Sequence, residues 1–291
     1  MSKSAETSSA KEFVMRPHEF ETIRKMAYDF CGVDLEGKQV LVSARLGKKI
    51  RELSLPSFDA YCDFVRKDQS GDAFTAMIDA LTTNHTSFFR EMKHFTFLQE
   101  TILPSLPANS ALDIWSAACS SGEEPYTIAF SLIQKMGDAA FSRVGITATD
   151  ISTRVLQKAK KGLYPATSLS SLSNDLMRKC LLKGTGQYAG SCLVKPEIRK
   201  LVDFRQLNLL KDCSSVGPFQ LIFCRNVMIY FDLPTQQTVV DNLVSRLAPG
   251  GYLFIGHAES LNGIRHSLKY ICSAIYRKPG GRADSGSSGS R

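Results

Sequence analysis

Three stretches of this 291-residue chain combine residue types and spacings that suit chemistry. In the first, Ser116-Ala117-Ala118-Cys119-Ser120-Ser121-Gly122-Glu123-Glu124, a run of small residues ends in two carboxylates. Small residues let the backbone approach a ligand closely, and the start of a following helix offers unpaired N–H groups. The run is not a GxGxxG phosphate loop. Two carboxylates there would repel a pyrophosphate and welcome a cation, such as the α-amino or sulfonium group of S-adenosylmethionine; they can equally serve as a capping pair. Asp150 follows Gly122 by 28 residues. An acid at a strand end can accept hydrogen bonds from both ribose hydroxyls of a nucleoside, or simply cap the next helix. The third stretch, Phe223-Cys224-Arg225-Asn226-Val227-Met228-Ile229-Tyr230-Phe231, sets polar residues after an apolar run. Substrate contacts suit them, but so do an ion pair for Arg225, a turn for Asn226 and a satisfied core hydroxyl for Tyr230.

The elements that must hold these residues show in the hydrophobic period. Helical spacing recurs in Phe20, Ile23, Ala27 and Phe30, in Leu46, Ile50 and Leu53, in Phe58, Tyr61 and Val65 after the N-cap candidate Ser57, and in Phe74, Met77, Ile78 and Leu81. Residues 1–17 are expected to be a flexible start, 18–92 a helical domain, and 93–110 a linker helix and loop with two prolines in LPSLPANS. Then the pattern changes. Apolar runs at 111–117, 144–149, 220–224 and 252–256 alternate with helical segments at 123–136, from Ser152 to about 163, and from Pro234 to a stop at Gly250-Gly251. That alternation predicts an α/β domain over 111–279 with a doubly wound, mostly parallel sheet. Ligands in such folds bind outside the carboxyl ends of the strands, where all three stretches fall. Residues 183–206 break the alternation and read as a small inserted antiparallel β-subdomain. The Gly/Ser-rich tail 280–291 reads as disordered.

Composition narrows the classes. No apolar run is long enough to cross a bilayer, and the polar start lacks the apolar core of a signal peptide, so a cytoplasmic location is expected. The eight cysteines show no Cys-x-x-Cys spacing and the five histidines are scattered. Reduced, mostly buried thiols and no metal site follow. His85 reads as packing. Of the net charge of +8, the whole excess lies between Arg154 and Arg205, where eleven Lys or Arg face three Asp or Glu. A second cluster joins Lys38, Arg45, Lys48, Lys49 and Arg51. Basic patches suit nucleic acid, membrane or an acidic protein, and a solvated helix face is the plainer alternative.

Leu81-Thr82-Thr83-Asn84-His85-Thr86-Ser87-Phe88-Phe89-Arg90-Glu91 resembles the signature of CheR-type chemotaxis receptor methyltransferases. So do Trp115-Ser116-Ala117-Ala118 with Gly122-Glu123-Glu124-Pro125-Tyr126, and the stretch from Phe223 to Phe231. The three blocks stand in that family's order and spacing, and the resemblance covers about residues 18 to 278. It implies a Rossmann-like SAM-dependent methyltransferase fold with an all-helical N-terminal domain and an inserted β-subdomain. By position it implies cofactor contacts from Asn84, Thr86, Arg90, Glu124, Asp150, Asn208, Leu209 and Asn226, with Arg225 beside them. Arg90 and Tyr230 would lie nearest the transferred methyl. The stretch Lys183-Gly184-Thr185-Gly186 resembles the loop that, in some members, docks a tethering peptide at the receptor's C-terminus. Cys119 stands where relatives often carry a small non-thiol residue.

On that resemblance, S-adenosylmethionine is the donor, S-adenosylhomocysteine the product and no metal is required. The acceptors are glutamates of chemotaxis-receptor cytoplasmic helices, so the membrane is met only through the receptor. Arg45, Lys48, Lys49 and Arg51 are candidate receptor contacts on the acidic helices, and Lys183, Gly184 and Gly186 candidate contacts for a tail peptide. Two rivals stay open: a nucleic-acid methyltransferase, disfavoured by few stacking aromatics in the basic segment, and a non-catalytic SAM-sensing adaptor.

Overall fold

The structure, a computed structural model, describes residues 13–82, 86–107 and 110–280. The polar start, Asn84, His85 and the tail beyond Gly280 lie outside the described residues. The chain forms two compact units, 1–83 and 84–291. The division thus falls at Thr83, not after residue 92. Phe88, within the range expected for the helical domain, packs against Phe130 and Tyr164 of the second unit.

Among the described residues, the first unit holds four helices: α1 (Pro17–Cys31), α2 (Gln39–Glu52), α3 (Phe58–Lys67) and α4 (Asp72–Leu81). Ser57 caps α3 by accepting a hydrogen bond from the Ala60 amide at 3.1 Å, a contact worth about 1 kcal/mol. Ile23, Ala27, Leu46, Ile50, Tyr61, Val65 and Met77 are buried, so the helical stripes are the core of this unit. Leu53 lies just past the end of α2 and stays exposed.

The second unit is built on a sheet of seven strands in the order β6-β2-β1-β7-β8-β10-β9. Its strands are β1 (Leu112–Ser116), β2 (Val144–Asp150), β6 (Val202–Gln206), β7 (Phe219–Cys224), β8 (Leu247–Ile255), β9 (Lys269–Cys272) and β10 (Ile275–Arg277). From β6 to β8 neighbours run parallel; β10 and β9 add an antiparallel edge. Successive side chains of a strand point to opposite faces. Ile114, Leu221 and Phe223 enter one apolar cluster, with Ile128 and Phe130 of the helix Glu123–Met136. Trp115, Ile222 and Cys224 enter another, with Val239, Val240 and Leu243 of the helix Leu233–Arg246. Burial on both faces explains why Ile114-Trp115 and Leu221–Cys224 are apolar without alternation. The chain leaves β1 for β2 on one side and later returns to place β7 on the other, so the order reverses between β1 and β7. A crevice opens at the carboxyl ends of strands at such a reversal.

Two readings need correction. The small antiparallel sheet has the order β3-β5-β4, with β3 (Leu163–Pro165), β4 (Leu181–Lys183) and β5 (Ser191–Val194). It therefore begins before residue 183 and ends at Val194. Residues 202–206 belong to the large sheet, where β6 pairs in parallel with β2; one buried face, Val202 and Phe204, is what an edge strand over a helix layer requires. Gly250-Gly251 lies inside β8, and the preceding helix ends at Arg246 by passing into extended backbone at Leu247. Among the described residues, no helix is long and apolar enough to cross a membrane, and all eight cysteines are unpaired, six of them buried.

Candidate functional site

The carboxyl ends of β1, β2 and β7 bring the three sequence stretches together. At the end of β1, the Ser116 hydroxyl donates to Glu124 Oε1 at 2.7 Å. At the end of β2, Asp150 accepts the Ser120 amide at 2.8 Å on Oδ2 and the Ser152 amide at 3.0 Å on Oδ1. This fastens the loop after β1 to β2 and fixes the carboxylate's direction. The Leu207 amide donates to the Asp150 carbonyl at 3.1 Å, which brings Asn208 and Leu209 alongside. Asn208 Oδ1 accepts the Leu210 amide, and the buried Leu209 offers its carbonyl to Asn242.

At the end of β7, Arg225 is almost wholly buried among acceptors. Its Nη1 donates to Glu124 Oε2 at 2.9 Å, its Nη2 to Glu91 Oε2 at 3.0 Å and to the Arg90 carbonyl at 2.5 Å. Its Nε reaches Glu91 Oε2 at 3.3 Å. Three protein acceptors thus occupy the guanidinium, so its part is to hold Glu124 and the Arg90–Glu91 turn in place. One cation between two carboxylates leaves the group with one net negative charge. Such a site favours a cationic ligand and disfavours a pyrophosphate.

Glu91 ties the site together. Its Oε1 accepts Asn226 Nδ2 at 3.1 Å and the His257 amide at 3.2 Å. Burial pushes its carboxyl up, but the Asn226 amide, the Arg225 charge and the His257 amide outweigh this and hold it below the usual carboxylate range. His94 is fully buried, with Nδ1 3.6 Å from Glu91. Burial, then the Arg225 charge, presses its pKa down to about 3, so the ring is neutral. The fold does gather two of the scattered histidines: His94, His257 and Glu91 present ligand atoms within 4.8 Å of one another. With the Arg225 guanidinium already on the Glu91 carboxylate, we read the group as a packed floor of the site, in which neither ring nitrogen of His94 has a hydrogen-bond partner.

Backbone strain collects here too. Phe89, Glu91, Ser120 and Asn226 all have positive φ, at 57°, 58°, 48° and 59°. Non-glycine residues hold that conformation only where their surroundings over-determine it, which is common at functional sites. Phe89 and Glu91 flank Arg90, so the half-buried Arg90 sits on a doubly pinned turn whose Phe89 amide donates to Thr127. Thr86, just before this turn, is half-buried, and so is Tyr230 at the end of the single turn Met228–Tyr230.

Several expected parts differ in role. Glu123 turns away from the strand ends and takes the Ser121 hydroxyl at 2.7 Å, leaving Glu124 as the carboxylate that faces them. Gly122 serves packing, since a Cβ there would lie 2.7 Å from the Tyr164 hydroxyl and 2.8 Å from Ala159. Burial drives the Cys119 thiol well up, so it is held as a thiol. Arg45 is committed to the Leu81 carbonyl at 2.6 Å and Lys49 pairs with Glu52 at 3.4 Å, while Lys48 and Arg51 stand exposed on α2. Lys183 is exposed at the end of β4, an edge strand. Gly184 is required by its own loop, with a Cβ falling 2.2 Å from the Tyr188 carbonyl; Gly186, at φ 55°, is open. The sequence reading missed Glu91 and Glu259 as parts of the site. Glu91 stood inside a recognised block, but its partners are far away in the chain; Glu259 stood outside every block.

An adenosyl sulfonium donor fits these residues. Glu124 and the net negative charge suit its cationic end, and Asp150 suits a ribose. The Ser120 hydroxyl beside Asp150 is buried without a protein partner, as expected of a group that a ligand would satisfy. The comparisons agree. Residues 84–276 match the family described as CheR methyltransferase, SAM binding domain, and residues 18–82 match CheR methyltransferase, all-alpha domain. The chain is 41% identical over 268 residues to chemotaxis protein methyltransferase 2 of Pseudomonas aeruginosa, covering 91% of this chain and 95% of the relative. It is 40% identical to the chemotaxis protein methyltransferase of Klebsiella aerogenes, covering 94% of each, and 38% identical to that of Escherichia coli, covering 88% and 89%.

Proposed function

Because this chain belongs to the CheR methyltransferase family, we propose that it methylates glutamate side chains on the cytoplasmic helices of a chemotaxis receptor. The family and the site make it a SAM-dependent methyltransferase. The observation that carries the finer reading is the placement of Arg90 on a pinned turn, one residue from Glu91, with Asn226 and the Tyr230 turn reached through the same carboxylate. These give a polar rim beside the cation-binding carboxylates.

A glutamate carboxylate, with a reference pKa of about 4.3, is ionised at neutral pH and needs no general base. The donor supplies an electrophilic methyl on a positively charged sulfur. Attack by the carboxylate oxygen cancels the two charges, so tight ion pairing of the acceptor to Arg90 would stabilise the ground state more than the transition state. Arg90 and Tyr230 therefore act by orienting the acceptor and excluding water. Glu124, braced by Ser116 and Arg225, holds the amino end of the donor, and Asp150 with the Ser120 hydroxyl holds the ribose. Asn84, Thr86, Asn208 and Leu209 complete the cofactor contacts. Asn226 supports them with its side-chain amide on Glu91.

Two surfaces suit the receptor. Lys48 and Arg51 on α2 present positive charge to acidic helices, with Arg45 and Lys49 behind them. The edge strand β4, ending at Lys183, suits an extended receptor tail that adds a strand, with Gly184 and Gly186 shaping the loop. Docking there would raise the local enzyme concentration around neighbouring receptors.

The test is transfer of labelled methyl from S-adenosylmethionine to receptor-bearing membranes and to total RNA, followed by mass spectrometry of the products. Glutamyl methyl esters on receptor peptides are the expected result. Labelled RNA would establish the nucleic-acid rival, and binding without transfer the adaptor. Adding peptides with acidic, aromatic C-termini, with Lys183→Glu as comparison, checks the tail. Val at 186 is a poorer choice, since φ 55° strains any side chain there.

A further inference from the structure

The turn that follows β7 is shaped by a side chain from outside it. Glu259 lies in the loop after β8, and β7 and β8 are parallel neighbours in register at Cys224 and Ile255. Its Oε2 accepts the amides of Gly256 at 2.6 Å and Asn226 at 2.9 Å, and its Oε1 accepts the Met228 amide at 2.8 Å. One carboxylate therefore fills a concavity of backbone N–H groups, the arrangement that backbone turns offer to a bound anion. Gly256 makes the close approach possible. A Cβ there would stand 2.5 Å from Asn226 Nδ2 and 2.8 Å from Glu259 Oε2.

The consequence lies in what the turn carries. Asn226 is held at φ 59°, an unfavourable conformation for a residue with a side chain, and its amide side chain meets Glu91. Two residues after Met228 comes Tyr230, whose amide closes the turn on the Val227 carbonyl at 3.1 Å. Burial raises the Glu259 carboxyl above the usual carboxylate range, against the opposing amides of Gly256, Asn226, Met228 and Ile229. Its polar contacts all go to the backbone of this turn and of its own loop, outside the apolar clusters on the two sheet faces.

We infer that Glu259 is a positioning residue for methyl transfer, its carboxylate setting the backbone of the Asn226–Tyr230 turn so that Asn226 meets Glu91 and the Tyr230 hydroxyl meets the reacting groups. The part concerning Tyr230 rests on the function proposed above. Glu259 touches neither donor nor acceptor. It acts through the amides it orders, which distinguishes it from Glu124 and Asp150.

Glu259→Gln tests this, because it keeps the shape but replaces one acceptor oxygen with a donor that faces an amide. Three measurements are made on the full chain: affinity for S-adenosylhomocysteine by calorimetry, initial rates on receptor-bearing membranes, and hydrogen exchange of the peptide spanning 225–231. The expected result is faster exchange in that peptide and a kcat lowered roughly tenfold to a hundredfold, with KM for the donor within roughly twofold. Glu259→Asp, which keeps the acceptors on a shorter stem, should recover part of kcat and guards against loss of folding in the Gln variant. Unchanged exchange at 225–231 overturns the inference, and so does faster exchange with unchanged kcat. Tyr230→Phe, assayed alongside, separates it from the function it rests on. If that variant turns over like wild type while Glu259→Gln loses kcat, the turn is positioned through Asn226 and only the role given to Tyr230 fails.

Discussion

The Arg225 guanidinium stands between Glu91 and Glu124 and donates to one oxygen of each, at 3.0 and 2.9 Å, with its side chain 2% exposed. Other donors hold the second oxygen of each, Asn226 and the His257 amide on Glu91 and the Ser116 hydroxyl on Glu124, but Arg225 brings the charge that both share. Arg225→Met leaves two half-buried acids facing each other and should cost about 3–5 kcal/mol, because breaking a buried charge pair strands the partners. Arg225→Lys keeps a charge but not the fork that reaches both acids and the Arg90 carbonyl, so it should restore only part of the loss. Denaturant unfolding of the three proteins measures this. Equal midpoints for wild type and Arg225→Met would show that the cluster contributes nothing net.

The same cluster predicts an acid limit. Glu91 is held below its ordinary value of 4.5, so the unfolded chain takes up a proton here at a higher pH than the folded chain. The stability Glu91 contributes is full above that ordinary value and is lost as pH falls through the lowered one. Melting temperature against pH should therefore drop below about pH 4.5, and the drop should be shallower in Glu91→Gln, whose own stability is already reduced. An identical profile in the two proteins would remove Glu91 from the acid transition.

Much of this was legible in the sequence, for reasons that separate cleanly. Strands buried on both faces had to be continuously apolar, so β1, β2, β7 and β8 stood out, as did the small polar residues at their ends. The pattern put the stretches that hold Glu124, Asp150 and Arg225 at strand ends, while the part given to each residue came from the family resemblance. What the pattern could not give was pairing across long separations. Glu259 meets Asn226 because β8 lies beside β7, and Glu91 meets Arg225 and Asn226 from a turn whose neighbour Phe95 stacks on Phe223 of β7. Short edge strands were the other weak point. Val202–Gln206 has one buried face and alternates, like a strand of a small surface sheet, and only its pairing with β2 assigns it to the large one. Gly122 ends the run of small residues read as letting a ligand approach, but the space beside it is filled by Tyr164 from the small sheet.

Gly122→Ala follows from that last point. Gly122 has φ 95°, and an added Cβ would overlap the Tyr164 hydroxyl and Ala159. The left-handed backbone and the overlap together should cost on the order of 2–4 kcal/mol. Tyr164→Phe in the same chain should relieve part of it, since the hydroxyl oxygen is one of the two atoms struck. A double-mutant cycle on unfolding midpoints reads the coupling; simple additivity would mean that the backbone alone bears the cost.

Asp150→Ala bears on the donor site. The carboxylate is fixed by the Ser120 and Ser152 amides, and the ribose it is proposed to bind loses a charged acceptor when it is removed. Affinity for S-adenosylhomocysteine should fall by about 1–3 kcal/mol. Calorimetry on folded protein decides it. Asp150→Asn is the control for the loop, because an amide oxygen can still accept one of the two backbone bonds; unchanged affinity in both variants would take Asp150 out of the site.

The basic helix α2 makes the last prediction, and its residues must be chosen with care. Arg45 serves the fold by capping the Leu81 carbonyl, and Lys49 is partly neutralised by Glu52. Lys48 and Arg51 are the exposed charges that remain to act at a distance. Charges of this kind mainly raise the rate of encounter with an oppositely charged partner, and salt weakens them once the separation exceeds a Debye length of about 8 Å at physiological ionic strength. Reversing both, as Lys48→Glu with Arg51→Glu, should leave melting temperature and donor affinity close to wild type. It should lower kcat/KM for receptor membranes at low salt, and the gap from wild type should narrow as salt is raised. Initial rates across a salt series measure this. A gap of constant size would point to direct contact in the bound state in place of steering, and equal rates at every salt would return the cluster to an ordinary solvated helix face.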